Sequence, residues 1–225
     1  MPNNGVQVVP QKTMQQVRRE ARREELVKPA LELLATHRIA LKGHFDLGHG
    51  QHSDQYMNPH AILDTPPLVW QLAQCLIDLS VDASEADTVA GPMMGGAFLA
   101  YVIAGILSGQ SRPGAPVTRF VPLQEVNNEF TIRTHYLQFV HGKRIWLVDD
   151  VCRTGQTLSL CAATIEEAGG RVVATGVILQ NEKGILIRDP ALKAIHHAFV
   201  DTFSAGSVDS DKCPQCQAGV PLTQF

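Results

Sequence analysis

Two adjacent acidic residues, Asp149 and Asp150, follow an apolar run at 145–148 in which a buried strand is predicted. They are followed by a short loop that leads into a predicted helix and contains Arg153, Thr154, Gly155, Gln156 and Thr157. Backbone N–H groups and hydroxyls at a helix N-terminus form a cradle for a phosphate. Paired carboxylates beside such a cradle suit sugar hydroxyls, directly or through Mg²⁺. The segment therefore predicts a site for a phosphorylated sugar, although acids alone are also typical of a solvated strand end.

The elements around this segment alternate between strands and helices. Strands are predicted at 88–91, 119–122, 143–149 and 171–179, and helices at 15–36, 68–79, 93–107 (after a turn) and 157–168. A hairpin, or a strand and a loop, is predicted at 43–56. This alternation predicts an α/β fold with a doubly wound, mostly parallel sheet. Ligands bind beyond the carboxyl ends of such strands, so Asp149 and Asp150 are expected to end a strand and face solvent-filled space.

The composition excludes several classes of protein. The chain has 225 residues, of which 44% are hydrophobic and 18% charged, which is enough to bury one ordinary α/β core. The net charge of −3, with no basic face and no helix-turn-helix pattern, argues against a nucleic-acid partner. An uncharged stretch at 89–107 has the length of a membrane span, but its paired glycines predict a buried strand, a turn and a buried helix instead. No membrane partner is expected.

The cysteines and the N-terminal residues predict a cytoplasmic protein. The first twelve residues are polar and lack the apolar core of a secretory signal. Five cysteines are an odd number, and Cys75, Cys152 and Cys161 stand alone in apolar segments. This usage suits free thiols in a reducing compartment better than a disulfide framework.

Four stretches resemble one family of enzymes. The run VDDVCRTGQT at 148–157 resembles the signature with which type I phosphoribosyltransferases bind 5-phosphoribosyl 1-diphosphate (PRPP). Three further stretches are similar to orotate phosphoribosyltransferases: GHFDL through GQHSDQY at 43–56, AGPMMGGA at 90–97, and CPQCQAGVPL at 213–222. The last of these resembles the C-terminal tail of one bacterial subgroup. The resemblance runs in register from 43 to 222.

The resemblance implies a fold and an activity. The fold would be the doubly wound sheet of type I phosphoribosyltransferases, with a small hood formed by the N- and C-terminal segments. The chain would be one domain, with a disordered tail at 1–14, an N-terminal helix and hood at 15–65, a core at 66–185, and a C-terminal strand and tail at 186–225. The implied reaction is the Mg²⁺-dependent transfer of phosphoribose from PRPP to orotate, giving orotidine 5′-monophosphate and diphosphate for pyrimidine synthesis. A homodimer is implied as well.

The resemblance also implies roles for individual residues. Asp149 and Asp150 would hold the ribose 2′ and 3′ hydroxyls and, indirectly, the Mg²⁺ that accompanies PRPP. The loop at 153–157 would line the 5′-phosphate. Backbone N–H groups for the diphosphate would come from Met93, Met94, Gly95 and Gly96. Contacts to the base would come from His49, Tyr56 and Lys183.

The sequence departs from the family pattern in two places. The stretch at 123–135, where the family has a mobile loop rich in lysine and arginine, has no lysine and two glutamates. Arg133 and His135 are its candidate cations, and we assign the catalytic role to Arg133 and expect the stretch to be a mobile lid. In the base pocket, Gly48 stands where a lysine is usual, and Glu182-Lys183 aligns with an Asp-Arg pair. Two alternatives therefore stay open: transfer to a different base, and a PRPP- or nucleotide-sensing homologue.

Histidines and cysteines raise the question of a further metal. His44, His49, His52 and His60 are close in sequence, but no acid or cysteine nearby completes a tetrahedral set, so contact of His49 or His52 with substrate is favoured. Cys213 and Cys216 have zinc-knuckle spacing, for which only His196 and His197 are apparent partners. A pair of reduced thiols beneath a tail is the other interpretation.

Overall fold

The computed structural model describes residues 14–37, 39–48, 50–58, 60–80, 86–111, 113–127, 129–152, 155–180, 195–200 and 207–224. Its first elements in chain order are α1 (Met14–Thr36), β1 (Ala40–Asp46), β2 (Gln51–Met57), α2 (His60–Leu63), α3 (Pro66–Leu79), β3 (Thr88–Pro92), α4 (Gly95–Gln110), β4 (Arg119–Val126) and β5 (Glu129–Thr131). A 3₁₀ helix, Thr134–Phe139, follows. The last elements are β6 (Arg144–Cys152), α5 (Gln156–Glu167), β7 (Arg171–Gln180), β8 (Ile195–Val200), β9 (Val208–Asp209) and α6 (Pro214–Gln217).

A six-stranded sheet with the order β5-β4-β3-β6-β7-β8 forms the centre of the molecule. Its strands are parallel except for β5, which pairs antiparallel with the end of β4. Side chains of β6 alternate between the two faces of the sheet. Trp146 and Val148 pack in the core with α1, α3 and α4, whereas Ile145 and Leu147 pack in a second core beneath α5. Helices cover both faces, which confirms the predicted doubly wound α/β fold.

A second, three-stranded sheet joins the two ends of the chain. β1 and β2 form an antiparallel hairpin, and β9 from the C-terminal region pairs with β2. The segment after β9 lies on β1, where the N–H of Thr223 donates to the His44 carbonyl at 2.8 Å. This sheet is the hood that the resemblance implied, and it confirms the predicted hairpin at 43–56. The proposed division into segments stays a prediction, and residues 1–13 of its tail lie outside the described residues.

The uncharged stretch at 89–107 belongs to β3 and α4, as predicted. Helix α4 begins at Gly95, where the paired glycines follow the turn, and Leu99 and Ile103 are fully buried. In the part of the chain that the structure describes, no helix has the length and apolarity needed to cross a membrane.

Two predicted strand ends were wrong. β4 continues four residues past the predicted end at 122 and turns at Asn127, with φ of 54°, into the unpredicted β5. Asn-Asn between alternating residues is a hairpin signal, because asparagine tolerates the left-handed conformation. β6 likewise continues three residues past Asp149, because Val151 and Cys152 pair with β7.

Candidate active site

The site lies where the connections of the sheet diverge. β3 and β6 are parallel neighbours, with Ala90 opposite Leu147, so their carboxyl ends meet at one edge. From β3 the chain crosses through α4 to β4, whereas from β6 it crosses through α5 to β7 on the other side. Such a switch point leaves a crevice between the two connections, and ligands of open α/β sheets bind there.

The acid pair occupies this crevice from the β6 side. Asp149 is 6% exposed and Asp150 is half-buried. The N–H of Asp150 donates to Asp149 Oδ1 at 2.9 Å, and the N–H of Val151 donates to Asp150 Oδ1 at 2.8 Å. Burial, and then the neighbouring charge of Asp150, raise the pKa of Asp149 well above its usual range. The expectation that both acids face solvent was therefore wrong for Asp149, because the strand continues past it and the loop after β3 covers it.

Glycines in the loop after β3 allow this close packing. A Cβ on Gly91 would collide with the Gly96 carbonyl, and a Cβ on Gly95 would collide with the Asp150 carboxylate. A Cβ on Gly96 would lie 2.6 Å from the Val148 carbonyl oxygen. Only glycine fits at these positions, so the structure brings the loop at 91–96 against the acid pair.

The backbone N–H groups of this loop are not all available to a ligand. Met93 donates its N–H to the Leu123 carbonyl at 2.8 Å, which corrects the expectation that it faces a diphosphate. The N–H of Gly96 lowers the pKa of Asp149 by a hydrogen bond, so it too has a partner. Among the described contacts, this leaves the N–H groups of Met94 and Gly95 for an anion. The side chains of Met93 and Met94 are exposed at the rim.

The predicted phosphate cradle begins α5. Gly155 caps this helix with φ of 80°, a left-handed conformation that favours glycine. Its carbonyl accepts the N–H of Ser159 at 2.9 Å, and Gln156 and Thr157 are exposed in the first turn. The N-terminus of a twelve-residue helix thus lies at the same edge as the acid pair. Arg153 and Thr154, the other predicted members, lie outside the described residues.

Arg133 is exposed and is held by a residue of β4. Its Nε donates to Gln124 Oε1 at 2.7 Å. Gln124 follows Leu123, whose carbonyl accepts the N–H of Met93, so Arg133 is tied to the part of β4 that neighbours the loop after β3. The other predicted cation, His135, is exposed, and its ring packs edge-on against Tyr136 and Phe139.

The stretch predicted to be a mobile lid is largely a β-hairpin. Phe130 and Ile132 pack against the core beneath α5, and Thr164 Oγ1 donates to the Phe130 carbonyl at 3.2 Å. Burial, with smaller contributions from the Asp149 and Glu125 charges, raises the pKa of the Cys161 thiol. The mobility of the stretch stays a prediction.

The predicted base contacts are described only in part. Tyr56 lies on β2, with its ring centroid 5.5 Å from that of Phe45 on β1. Gly48, in the turn between these strands, has φ of 80°, and its N–H donates to Asp46 Oδ1 at 2.8 Å. His49 and Lys183 lie outside the described residues.

Two histidines of the β1–β2 hairpin and two cysteines near the C-terminus, which are far apart in sequence, lie together in the structure. His44 and His52 lie beside Cys213 and Cys216, with one potential ligand atom of each residue within 4.8 Å of all the others. The expectation that no cysteines complete the histidine set was wrong. A separation of more than 150 residues hides this proximity, because β9 and the segment after it return to the β1–β2 hairpin only in the folded chain.

An acid pair, a glycine loop and an open helix end at the switch point of a doubly wound sheet define a class of phosphosugar-binding α/β proteins. A family model described as the phosphoribosyl transferase domain matches residues 60–198, and the chain belongs to this family. The sequence resemblance is thereby confirmed.

The relatives are named for a particular member of the family. The chain is 30% identical to an orotate phosphoribosyltransferase of Helicobacter pylori strain G27 over 196 residues, covering 81% of this chain and 90% of the relative. It is 27% identical to that of Desulforamulus reducens over 184 residues, covering 82% and 88%. The crystal structure of orotate phosphoribosyltransferase from Aeropyrum pernix superposes with a TM-score of 0.58 at 18% identity, covering 74% of this chain and 92% of that one.

Proposed function

We propose that this protein transfers the phosphoribosyl group of PRPP to orotate, producing orotidine 5′-monophosphate and diphosphate in pyrimidine nucleotide synthesis. The observation that carries the proposal is the contact between Gly95 and the Asp150 carboxylate. It puts a loop with N–H groups for an anion directly against carboxylates for ribose hydroxyls. The names of the relatives support orotate as the base.

The reaction displaces diphosphate from the anomeric carbon through a transition state with oxocarbenium character. Asp149 and Asp150 accept hydrogen bonds from the ribose hydroxyls and hold the ring, and their negative charge favours the cationic sugar. The N–H groups of Met94 and Gly95 contact the diphosphate, and the N-terminus of α5 binds the 5′-phosphate. The 5′-phosphate and the ring are thereby fixed while C1 moves from the diphosphate to the base.

The acid pair also fits Mg²⁺ as the cofactor. Carboxylate oxygens are the hard ligands that Mg²⁺ prefers. Repulsion between the two carboxylates helps to raise the pKa of Asp149, and a cation beside them would relieve it. Mg²⁺ bound with PRPP supplies positive charge for the departing diphosphate. Arg133, anchored to Gln124 of β4, is the proposed protein cation for the diphosphate.

We further propose a homodimer that works in the cytoplasm. Met94, Phe98 and Tyr101 form an exposed stripe along the first turns of α4, with exposed fractions of 61%, 53% and 66%. Aromatic side chains at such spacing are typical of a helix face that packs against another subunit. The five free cysteines suit a reducing compartment.

The first experiment follows diphosphate release from PRPP and Mg²⁺ with orotate and with a panel of other nucleobases. Wild type should release diphosphate with orotate. The double variant Asp149→Asn, Asp150→Asn should lose this activity and bind PRPP about 100-fold more weakly or worse, since two hydrogen bonds to charged groups are weakened. Asp78→Asn, a change of an exposed acid on α3, is the matched control, and circular dichroism checks the fold.

The other outcomes separate the alternatives. Release with another base but not with orotate would establish a different phosphoribosyltransferase. PRPP binding by calorimetry without release for any base would establish a sensing homologue. Unchanged PRPP affinity in the folded double variant would refute the assignment of the acid pair.

A further inference from the structure

Four side chains with metal-binding atoms meet in the hood, and we call them the His₂Cys₂ cluster: His44, His52, Cys213 and Cys216. His44 Nε2 lies 3.2 Å from His52 Nδ1, 3.4 Å from Cys213 Sγ and 3.6 Å from Cys216 Sγ. Cys216 Sγ lies 3.2 Å from His52 Nδ1. Three of the residues are buried, and Cys216 is at the surface.

These distances match the edges of a tetrahedral zinc site. Zinc–nitrogen bonds of about 2.0 Å and zinc–sulfur bonds of about 2.3 Å separate neighbouring ligand atoms by about 3.3 Å for two nitrogens and about 3.5 Å for nitrogen and sulfur. The three contacts of His44 Nε2, at 3.2, 3.4 and 3.6 Å, lie within about 0.1 Å of these values, and the contact between Cys216 Sγ and His52 Nδ1, at 3.2 Å, is about 0.3 Å shorter than the nitrogen–sulfur edge.

Ordinary hydrogen bonds do not account for the cluster. An imidazole nitrogen has either one N–H or one lone pair, so it satisfies one partner along one direction. His44 Nε2 faces three polar atoms at once, and the residue is 2% exposed, so bulk solvent has little access to it. A single cation between the four atoms satisfies all of them together.

The hydrogen bond on the other side of His44 prepares it as a ligand. His44 Nδ1 lies 2.8 Å from the Val220 carbonyl oxygen, which can only accept, so Nδ1 carries the proton. In neutral imidazole this leaves a lone pair on Nε2, and that atom points into the cluster. A backbone carbonyl that fixes the tautomer of a ligating histidine is the usual outer contact of a metal site.

We propose that the His₂Cys₂ cluster binds one structural Zn²⁺ ion. Two thiolates and two imidazoles are a donor set that favours zinc over Mg²⁺ or Ca²⁺, and four protein ligands leave no open position for catalysis. The ion joins β1 and β2 to the segment after β9, adding to the hydrogen bonds that Gln215 and Thr223 of this segment make with β1. It thereby holds the hairpin that carries Tyr56, one of the predicted base contacts, whichever base the protein uses.

The test is the metal content of the full-length chain, purified without chelator and analysed by mass spectrometry. Wild type should contain about one zinc per chain. The double variant Cys213→Ser, Cys216→Ser and the single variant His52→Ala should lose most of it. Cys75→Ser, which removes a partly buried thiol on α3 outside the cluster, should retain it.

A second measurement uses wild type, so it decides the question even if the cluster variants fail to fold. Wild type stripped with a chelator and reloaded with Co²⁺ should develop the intense visible bands of tetrahedral cobalt and a thiolate-to-cobalt charge-transfer band, and Zn²⁺ should displace both. Removal of the metal should lower the melting temperature of wild type and of Cys75→Ser. Wild type without zinc and without the tetrahedral cobalt spectrum, or a folded double cysteine variant with full zinc content, would overturn the proposal.

Discussion

At the residue scale, the two acids of the site are neighbours in different surroundings. Successive side chains of β6 point to opposite faces, so Asp149 is directed towards the side of α5 and Asp150 towards Gly95 at the start of α4. Burial raises the pKa of Asp149, and the charge of Asp150 adds to the rise. Ribose hydroxyls or a cation at the pair would favour the ionised form of this carboxyl, so its charge is coupled to ligand binding.

Arg133 is the residue whose role most needs a test. Departing diphosphate carries several negative charges, and the stretch at 123–135 contains no lysine to offset them. Arg133→Ala should reduce kcat by about 100- to 1000-fold, the effect of removing one donor to transition-state charge, while the dissociation constant of PRPP changes much less. Steady-state kinetics and calorimetry measure the two quantities.

Two further variants serve as comparisons for the kinetics of Arg133→Ala. Arg133→Lys keeps the charge but loses the guanidinium group that can bind two oxygens at once, so its kcat should fall between those of wild type and Arg133→Ala. Arg171→Ala, at the start of β7 and the opposite end of the sheet, should behave as wild type. Equal turnover of Arg133→Ala and wild type would show that the cation for the diphosphate comes from His135 or from the partner subunit.

At the element scale, three parallel strands are joined at their N-terminal ends by one residue. The Asp87 carbonyl accepts the N–H of Arg119, and the Asp87 N–H donates to the Arg144 carbonyl. Asp87 Oδ2 accepts the N–H of Arg144 at 2.9 Å. These contacts align the starts of β3, β4 and β6, and so set the register with which their carboxyl ends meet at the site.

The charge of Asp87 should stabilise the fold in a pH-dependent way. The Arg144 N–H, followed by the Arg144 side chain, lowers the pKa of Asp87. A lowered carboxyl pKa gives stability that is present above the pKa of the unfolded chain, about 3.9, and is lost as the pH falls through the folded value. Asp87→Asn should therefore cost up to about 1 kcal/mol at neutral pH, because the side chain is partly exposed, and almost nothing in strong acid.

Urea unfolding of wild type and Asp87→Asn across this pH range measures the difference. Asp78→Asn is again the control, because this acid is exposed on α3 and does not join strands. A difference between Asp87→Asn and wild type that stays constant with pH would show that shape, not charge, is what Asp87 contributes.

At the scale of the whole molecule, an exposed aromatic surface lies beside the site. Phe98 and Tyr101 project from α4, whose first residues belong to the loop that packs on the acid pair. Burial of two large side chains contributes about 3 kcal/mol or more to association. A subunit packed here would also exclude water from the site of its neighbour.

Sedimentation analysis should find wild type as a dimer. The double variant Phe98→Asp, Tyr101→Asp should dissociate about 100-fold more readily or more, because charges replace buried aromatic area. Trp70→Asp, a change of an equally exposed aromatic residue on α3, should remain dimeric. A monomeric wild type, or a folded double variant with unchanged association, would contradict the proposed interface.

Much of the site follows from patterns within single segments. An apolar run followed by Asp149 and Asp150 predicts a buried strand with acids near its carboxyl end, because a strand covered on both faces requires apolar side chains throughout; that the strand continues to Cys152 did not follow from the pattern. The loop of small and hydroxyl residues before a helical period predicts the start of α5, and the structure adds that Gly155 caps this helix with a left-handed backbone. The alternation of such segments determines a parallel sheet, and the rule for open sheets then places the acids at its carboxyl edge.

Contacts between segments were decided only by the tertiary structure. Asp149 is buried because the loop after β3 lies on it, and Met93 loses its N–H to Leu123 because β3 and β4 are neighbours. His44 and Cys216 are 172 residues apart, and no local pattern records that the C-terminal segment returns to the first hairpin. The sequence by itself determines the side-chain types and the local backbone preferences. Which side chains come into contact depends on how the sheets and helices pack, and this is decided by the tertiary structure.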